Sequence, residues 1–448
     1  MKHEAAAIAA ASRLTRIKAG SRFLVQIAHS NGGTGSEVVQ TDVVIAGAGP
    51  AGLSLAGALV QAGLRVAVVD PADAEVLSNP ADDGREIAIT PLSRSLLMRW
   101  GQWDRLAADE QPPLRMALVF DGESRRPMTV SPRHGDAELG WMVSNHALRR
   151  VAWEQAQAVE GIDWRLGRRL LGSERDERTA TALLDDGERI EASLIVAADS
   201  RFSATRRAAG IPARMHDFGR SMLVCRMRIE RPQRGEAWEW LDYGQTLALL
   251  PLNDDLASVV ITLPPADIES LLAMPEAAFN AAVAARFKQR LGAMQLVGGR
   301  FAYPLVGVHP ERSVATRFAC IGDAAVGMHP ITAHGYNLAL RGIALLTDRL
   351  RVAVERERDI GDAALLDAFQ HEFRAVTRPL FLATQTVVQM YGDERRPVRL
   401  LRRAGLRFCQ HFRPFQSLLA ATLGTSDPRP AAWMRAAERL MWRLPRPG

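Results

Sequence analysis

Apolar residues in unbroken runs and at helical spacing outline the first structural unit that the sequence predicts. Val43 to Ala46 form a short apolar run of the kind that a buried parallel strand needs. Gly47, Gly49 and Gly52 follow in G-x-G-x-x-G spacing. The next stretch is rich in Ala and Leu and predicts a helix, after which a second apolar run ends in an acidic residue. This order of strand, glycine-rich turn, helix and strand is typical of a dinucleotide-binding unit.

The glycines and the acid of this unit have separate predicted tasks. Gly47 makes the tight turn, Gly49 lets the backbone approach a pyrophosphate, and Gly52 lets the helix and strand pack closely. Asp70 ends the second strand, where its carboxylate can accept hydrogen bonds from ribose hydroxyls. The helix N-terminus adds unpaired N–H groups and the positive end of its dipole, which favour a pyrophosphate.

Two simpler interpretations of residues 43–64 compete with this prediction. The stretch carries no charged residue and is long enough to resemble a membrane span. It could also form a strand–helix–strand unit that binds no nucleotide. Three glycines and Pro50 in its first half, and the acid-terminated strand that follows, argue against a span. Strand, glycines, helix, strand and acid occur in order within ~30 residues, which favours dinucleotide binding.

Several β-like runs separated by turn residues lie farther along the chain. Their order predicts an α/β fold with a second, largely antiparallel sheet. The chain from residue 363 onward is helical in character. The predicted strands are 190–197, 222–229, 246–250, 257–261 and 318–321, with a hairpin at 116–127.

Length and composition are those of a globular protein with two or three domains. The chain has 448 residues, of which 47% are hydrophobic and 24% charged. Its net charge of +6 and pI of about 9.7 are typical of nucleic-acid binding. However, nearly all positive charge is arginine, and neither zinc-finger spacing nor an RNA-binding aromatic signature is present. We therefore expect no nucleic-acid partner.

The cysteines and histidines do not fall into metal-binding patterns. Cys225, Cys320 and Cys409 lie far apart, so we expect neither a disulfide framework nor a thiolate metal site. This cysteine usage fits a reducing cytoplasm. The ten histidines show no H-E-x-x-H or comparable spacing, and no metal site is expected.

A second chemical constellation follows the predicted strand at 318–321. Gly322 and Asp323 lie in a turn, where the carboxylate can hydrogen-bond a ribityl chain. Residues 330–335 form a loop, and the helix predicted at 336–350 can direct its N-terminus at the polarised edge of a flavin ring. An ordinary strand-to-helix turn would explain Gly322 and Asp323 alone, but not the complete loop and helix.

Three separated segments resemble the single-component flavin-dependent aromatic hydroxylases, the family that includes para-hydroxybenzoate hydroxylase. They are residues 47–52, 198–203 and 322–337, in the order and approximate spacing of that family. The resemblance extends from about residue 40 to about residue 425. The loop from Gly322 to Gly335 is most similar to ubiquinone-biosynthesis hydroxylases of the 5-demethoxyubiquinol hydroxylase type.

This resemblance implies a Rossmann-like FAD-binding domain of glutathione-reductase-like topology, a second domain with a mostly antiparallel β-sheet for the substrate, and C-terminal helices. It implies FAD as the cofactor, NAD(P)H as the reductant and O2 as the oxidant, without a separate nicotinamide domain. The expected reaction hydroxylates the aromatic ring of a polyprenyl phenol or benzoquinol in ubiquinone biosynthesis, through a flavin C4a-hydroperoxide. Another aromatic hydroxylase, a flavin-dependent isoprenoid reductase and a non-catalytic FAD-containing assembly subunit are the alternatives left open.

The resemblance also assigns individual residues to the cofactor. Asp199 matches an acid associated with both FAD and the nicotinamide, although Ser200 replaces the usual glycine and predicts a different turn. His329 and His334 are the ionisable residues expected near the flavin ring, where each could move a proton or only shape the loop. The implied cofactor-binding positions are Gly47, Gly49, Pro50, Ala51, Gly52, Asp70, Arg85, Asn145, Asp199, Gly322, Asp323, Pro330, Gly335 and Asn337.

The implied domain organisation divides the chain into four parts. The predicted parts are a flexible N-terminal extension (1–40), an FAD-binding domain (41–115, 143–215 and 301–350), a substrate domain (116–142 and 216–300) and a C-terminal helical region (351–448).

The C-terminal region is basic in a way that suggests a surface contact. Seven arginines lie between Tyr391 and Arg413 against two acids, with apolar residues among them. Such a segment can rest on an anionic membrane, dock a biosynthetic partner or form an ordinary solvated helix face. We expect a cytoplasmic protein with a lipophilic polyprenylated aromatic substrate, and peripheral contact with the inner membrane is left open.

Overall fold

The computed structural model describes residues 39–122, 124, 127–132, 137–242, 244–330 and 335–392. Its strands and α-helices within these ranges are numbered here in chain order. The strands are β1 (Val39–Gln40), β2 (Val43–Ala46), β3 (Val66–Asp70), β4 (Glu86–Ile89), β5 (Pro113–Leu114), β6 (Met116–Asp121), β7 (Met128–Val130), β8 (Gly140–Ser144), β9 (Ile162–Leu166), β10 (Leu170–Arg175), β11 (Ala180–Leu184), β12 (Arg189–Ala192), β13 (Leu194–Ala197), β14 (Ala213–Ile229), β15 (Glu236–Asp242), β16 (Gln245–Pro251), β17 (Leu256–Leu263), β18 (Met294–Pro310), β19 (Val314–Ala315) and β20 (Phe318–Cys320). The helices are α1 (Pro50–Gln61), α2 (Ala74–Ser78), α3 (Pro91–Arg99), α4 (Asn145–Gln157), α5 (Ala204–Ala208), α6 (Pro265–Ala273), α7 (Glu276–Arg286), α8 (Gly335–Glu355) and α9 (Ala363–Gly392).

A six-stranded sheet of order β19-β20-β13-β2-β3-β9 forms the first layer and is parallel except for β19. Strands β2, β13 and β20 are buried along their whole length, as continuous apolar runs in a parallel sheet are. Helix α1 connects β2 to β3, as predicted, and packs against α8. Because the strands are parallel, the turns after Ala46, Ala197 and Cys320 meet at one edge of the sheet.

The single strand predicted at 190–197 is wrong, because this run forms two strands. β12 alternates between half-buried and buried residues and belongs to a four-stranded sheet of order β1-β12-β11-β10. β13 is buried throughout and belongs to the six-stranded sheet. Ser193 separates the two strands, and its N–H donates to the carbonyl of Asp42. The change of burial pattern marks the passage from one sheet to the other.

A seven-stranded sheet of order β18-β14-β17-β16-β15-β6-β7 confirms the second, largely antiparallel sheet. The β15–β6 pair is parallel, and β6 and β7 form the predicted hairpin. One face of this sheet packs on α6 and α7 through an apolar core that includes Trp240, Leu249 and Phe279. Strand β15 is absent from the predicted runs because acidic residues stand at both its ends and its centre.

A small antiparallel sheet of order β4-β8-β5 covers part of the other face of the seven-stranded sheet. Leu114 and Met142 pack there against Ala117, Ala237 and Leu250. The apolar contact places β4, and the loop that precedes it, against the second sheet.

Helix α9 confirms the helical character predicted after residue 363, as far as the structure describes it. Residues 1–38 and 393–448 lie outside the described residues, so the flexible extension and the arginine-rich contact stay predictions. Within the described ranges, no helix combines the length and apolar character needed to cross a bilayer.

Candidate active site

The glycine-rich turn after β2 leaves no room for side chains at two of its three glycines. Gly47 has a φ of 113°, and a Cβ there would lie 2.6 Å from the carbonyl oxygen of Ala198. A Cβ at Gly52 would lie 1.9 Å from the carbonyl oxygen of Gly47. A Cβ at Gly49, in contrast, would have no neighbour within 4 Å. The protein itself therefore requires Gly47 and Gly52, whereas Gly49 keeps open the space beside the turn.

Helix α1 begins beside this open space. Gly49 is its N-cap and makes no side-chain capping bond, and Pro50 occupies the first turn, where its missing N–H is not needed. The N-terminal N–H groups of a helix need acceptors from outside the helix. An anionic group placed beside Gly49 would supply them, which is how a helix N-terminus holds a pyrophosphate.

Asp70 fixes the glycine-rich turn to the end of β3. Its Oδ2 accepts a hydrogen bond from the N–H of Ala48 at 2.6 Å, and its Oδ1 accepts one from the N–H of Ala72 at 2.8 Å. A carboxylate has about four lone-pair sites, so two backbone bonds leave acceptor capacity. The structure therefore gives Asp70 a task that the sequence did not predict, and its contact with a ribose stays a prediction.

Asp199 lies two residues beyond β13 and carries an unpaired oxygen. Its Oδ2 accepts from the N–H of Thr205 at 3.2 Å, whereas its buried Oδ1 has no hydrogen-bond partner among the described residues. The Cα of Asp199 is 2.9 Å from where a Cβ of Gly47 would stand, so this oxygen lies near the glycine-rich turn. A buried oxygen of this kind fits a donor from a bound ligand.

Ser200 has a φ of 159°, a positive value that few residues other than glycine adopt. Serine therefore occupies this turn at the border of the range that favours the usual glycine.

The turn after β20 packs against the other two segments. Gly322 opens a short 3₁₀ turn, Gly322–Ala324, and has a φ of 58°. A Cβ at Gly322 would lie 3.3 Å from the Cβ of Ala51, in the first turn of α1. The carboxylate of Asp323 forms an ion pair with Arg201 at 3.1 Å.

Arg206 joins two of these segments from inside the protein. It is 2% exposed, and its Nη1 donates to the carbonyls of Arg201 at 3.1 Å and Ala324 at 3.0 Å. Burial lowers the pKa of its guanidinium, which nevertheless stays charged. Arg206 was not predicted from the sequence, because one arginine in an arginine-rich chain carries no signal.

Arg85 and Asn145, which were predicted separately, meet at a third residue, Asp83. The Arg85 guanidinium lies 2.6 Å from the Asp83 carboxylate, and the Asn145 amide donates to the same oxygen at 2.7 Å. Burial acts to raise the pKa of Asp83, but these two contacts outweigh it and lower the pKa below its usual value. Tyr303 completes the cluster, because its hydroxyl donates to the carbonyl of Asp83 at 2.7 Å and Arg85 lies 5.4 Å above its ring.

Tyr303 belongs to the face of the seven-stranded sheet that is turned away from α6 and α7, called here the inner face. A Cβ at Gly84 would lie 2.5 Å from the ring of Phe301, which is on the same face. Arg226, also on this face, binds the Glu86 carboxylate at 2.8 Å. Burial raises the pKa of Glu86 to about 7, and Arg226 acts against that rise. The inner face therefore contacts the 81–86 segment through Tyr303, Phe301 and Arg226. Neither Tyr303 nor Arg226 was predicted from a local sequence pattern.

The histidine loop is described only in part. His329 packs edge-on against Phe218, with ring centroids 4.7 Å apart, and burial lowers its pKa to about 4. It is therefore neutral near pH 7. Pro330 is exposed, and Gly335 begins α8. His334 lies outside the described residues, so its predicted place near the ring is untested.

Asn337 is turned toward the protein backbone. Its amide oxygen accepts from the N–H of Thr90 at 3.1 Å, and its amide nitrogen donates to the carbonyl of Ala88 at 2.8 Å. These bonds connect α8 to the end of β4. The predicted contact of Asn337 with a cofactor stays a prediction.

Across the described ranges, no group of three or more potential ligands could hold a metal ion.

Comparison with known proteins decides the family. A family described as "FAD binding domain" matches residues 40–383. The chain belongs to this FAD-binding family. Its cofactor is FAD, and the open space at Gly49, the unpaired Asp199 oxygen and the first turn of α1 fit such a dinucleotide.

Relatives within the FAD-binding family are ubiquinone hydroxylases. The chain is 38% identical over 390 residues to the ubiquinone hydroxylase UbiM of Neisseria meningitidis, covering 86% of this chain and 85% of that protein. It is 31% identical over 312 residues to 3-demethoxyubiquinol 3-hydroxylase of Escherichia coli, covering 69% and 79%. A structure of a Klebsiella pneumoniae HpxO variant complexed with FAD has a TM-score of 0.67 at 20% identity, covering 86% and 98%. The predicted resemblance to the ubiquinone-hydroxylase branch is confirmed.

Proposed function

We propose that this chain is an FAD-dependent monooxygenase that adds oxygen to the aromatic ring of a polyprenylated phenol or benzoquinol in ubiquinone biosynthesis. The observation that carries the proposal is the meeting of the segments around 47, 199 and 322. The inner face, joined to the 81–86 segment by Tyr303 and Phe301, adds apolar surface. The ubiquinone hydroxylases among its relatives support this substrate class.

The cofactor side of the site binds FAD and orients it. FAD, when bound and reduced by NAD(P)H, supplies the activation of O2. Gly49 and the first turn of α1 hold the pyrophosphate, and the free oxygen of Asp199 accepts a hydrogen bond from the cofactor. The Arg85–Asp83 pair, fixed by Asn145, borders the cofactor on the side of the seven-stranded sheet.

The substrate side excludes water and holds the ring. The inner face carries apolar side chains on β6, β14, β16, β17 and β18, which suit a lipophilic polyprenyl chain. His329, neutral near pH 7, contributes a hydrogen-bonding group without adding charge. The site thus needs no protein nucleophile, because the aromatic ring itself is the electron-rich reactant.

Contact with a membrane is proposed for the arginine-rich segment that follows Tyr391. Anionic lipid would attract its seven arginines, and a lipophilic substrate would be within reach at the surface. Flotation with phosphatidylglycerol liposomes tests this. The full chain should float and a version ending at Tyr391 should not, whereas equal flotation would contradict the contact.

Oxygen-isotope labelling tests the main proposal. Purified holoprotein is given NAD(P)H, ¹⁸O2 and a short-chain 2-prenylphenol. We expect the phenol to stimulate NAD(P)H oxidation, and the product to carry ¹⁸O in a new hydroxyl group on its ring. Stimulated oxidation that saturates the prenyl chain without ¹⁸O would indicate an isoprenoid reductase. No stimulation would indicate an assembly subunit. Deleting the gene and identifying the quinone intermediate that accumulates then defines the physiological substrate.

A further inference from the structure

One row of side chains crosses the whole inner face of the seven-stranded sheet. Directly paired residues on neighbouring strands point to the same face of a sheet. The row contains one ionisable residue among apolar ones. Its members, from β7 to β18, are Met128, Val119, Glu239, Ala248, Val260, Val224 and Phe301.

The two faces of the sheet differ in how tightly they are covered. On the face packed against α6 and α7, Leu247, Leu249 and Val259 are completely buried. On the inner face, Ala248 and Val260 alternate with them and remain half-buried. The inner face therefore retains accessible apolar surface, as a binding site for a lipophilic molecule requires.

The row leads to the predicted cofactor site. Phe301, at one end, lies against Gly84 in the loop that holds Asp83 and Arg85. Ala237, two residues before Glu239 and on the same face of β15, packs with the β4-β8-β5 sheet. Glu239 is therefore on the covered side of the sheet and not at the outer solvent boundary.

Glu239 has neither a hydrogen bond nor an ion pair with any described residue, and it is only half-buried. Burial alone raises the pKa of its carboxyl to about 8. The group is mostly neutral at pH 7 and offers both an O–H donor and a carbonyl acceptor. A carboxyl in an apolar face without a partner costs stability, so folding gives no reason for its presence.

We propose that Glu239 is a substrate-specificity residue that hydrogen-bonds the ring hydroxyl of the phenol or quinol, while the apolar row receives the prenyl chain. The inference rests on the proposed function and names the group that orients its substrate. An acid that both donates and accepts matches a hydroxyl, which does the same, whereas a methylated hydroxyl can only accept and loses one of the two hydrogen bonds.

Three variants of the holoenzyme separate this role from a structural one. Glu239→Leu removes the hydrogen-bonding group, Glu239→Gln keeps a donor and an acceptor, and Glu236→Gln changes a glutamate on the opposite face of the same strand. The probes are a short-chain 2-prenylphenol and its O-methyl ether. Binding is measured by the change in the absorbance of oxidised FAD, and thermal unfolding is measured in parallel.

Glu239→Leu should weaken phenol binding at least tenfold, weaken ether binding by a smaller factor and raise the unfolding temperature. Glu239→Gln and Glu236→Gln should bind the phenol within about threefold of the original chain. If Glu239→Leu binds the phenol as tightly as the original chain, while the original chain incorporates ¹⁸O, the inference fails and the proposed function stands. If the original chain binds no phenol and incorporates no ¹⁸O, the proposed function fails and the inference fails with it.

Discussion

The glycine-rich side of the site and the inner face of the seven-stranded sheet are built in opposite ways. On the first side, residues adjacent in sequence pack their backbone atoms so closely that a single added methyl group at Gly52 would lie 1.9 Å from a carbonyl oxygen. On the second side, seven strands contribute one side chain each, from Met128 to Phe301. The first region is intolerant of any added atom, whereas the second accepts apolar exchanges of similar volume but depends on the placement of its few polar groups.

Gly52→Ala should have the largest effect, because its Cβ cannot fit beside the carbonyl of Gly47. We expect the free energy of unfolding to fall by about 3 kcal/mol or more, with loss of FAD binding. Gly49→Ala is the matched control, since its Cβ meets nothing. It should unfold in urea like the original apoprotein yet bind FAD at least about tenfold more weakly. Equal stability of the two variants would contradict the conclusion that folding requires glycine at position 52 but not at position 49.

Arg206→Met tests the internal link between the 199 and 322 segments. The change leaves the carbonyls of Arg201 and Ala324 without their donor, so unfolding should become easier by about 2 to 3 kcal/mol. The adjacent Arg207 is exposed and gives a control, because Arg207→Met should change stability by about 0.5 kcal/mol or less. Urea unfolding measures both, and similar losses would show that Arg206 is not the link.

Glu86→Gln sharpens the comparison at the contact between the two regions. Burial raises the pKa of Glu86 from 4.5 to about 7, so the native protein binds a proton that the unfolded chain releases. This contribution to stability is complete below about pH 4.5 and is lost as the pH rises through about 7. Relative to Glu86→Gln, the free energy of unfolding of the original chain should fall by about 3 kcal/mol between pH 4.5 and pH 8. If the difference in unfolding free energy between the original chain and Glu86→Gln is the same at pH 4.5 and pH 8, the assignment is contradicted.

Asp70→Asn should have the smallest effect. An asparagine retains one acceptor oxygen, so one of the two backbone bonds, from Ala48 or Ala72, is lost. We expect a loss of about 1 kcal/mol in stability and a modest weakening of FAD binding, measured by urea unfolding and FAD titration. An unchanged FAD affinity together with unchanged stability would remove Asp70 from the account.

The same contrast explains what the sequence could predict. The β2–α1–β3 unit and the turn at Gly322 follow from local spacing, and both were predicted. The β15 strand, the break at Ser193 and the row containing Glu239 depend on strand register between distant residues. Asp83 likewise belongs to the candidate site only through its contacts with Asn145 and Tyr303, which are distant from it in the sequence. A single sequence contains no local signal for such convergence.

A crystal structure of the FAD-bound protein tests the central claim most directly. The account predicts one FAD whose pyrophosphate lies beside Gly49, whose contacts include the free oxygen of Asp199 and the turn at Gly322, and whose ring faces the inner sheet face. An FAD that contacts fewer than all three segments, or whose ring faces away from that sheet, would contradict it.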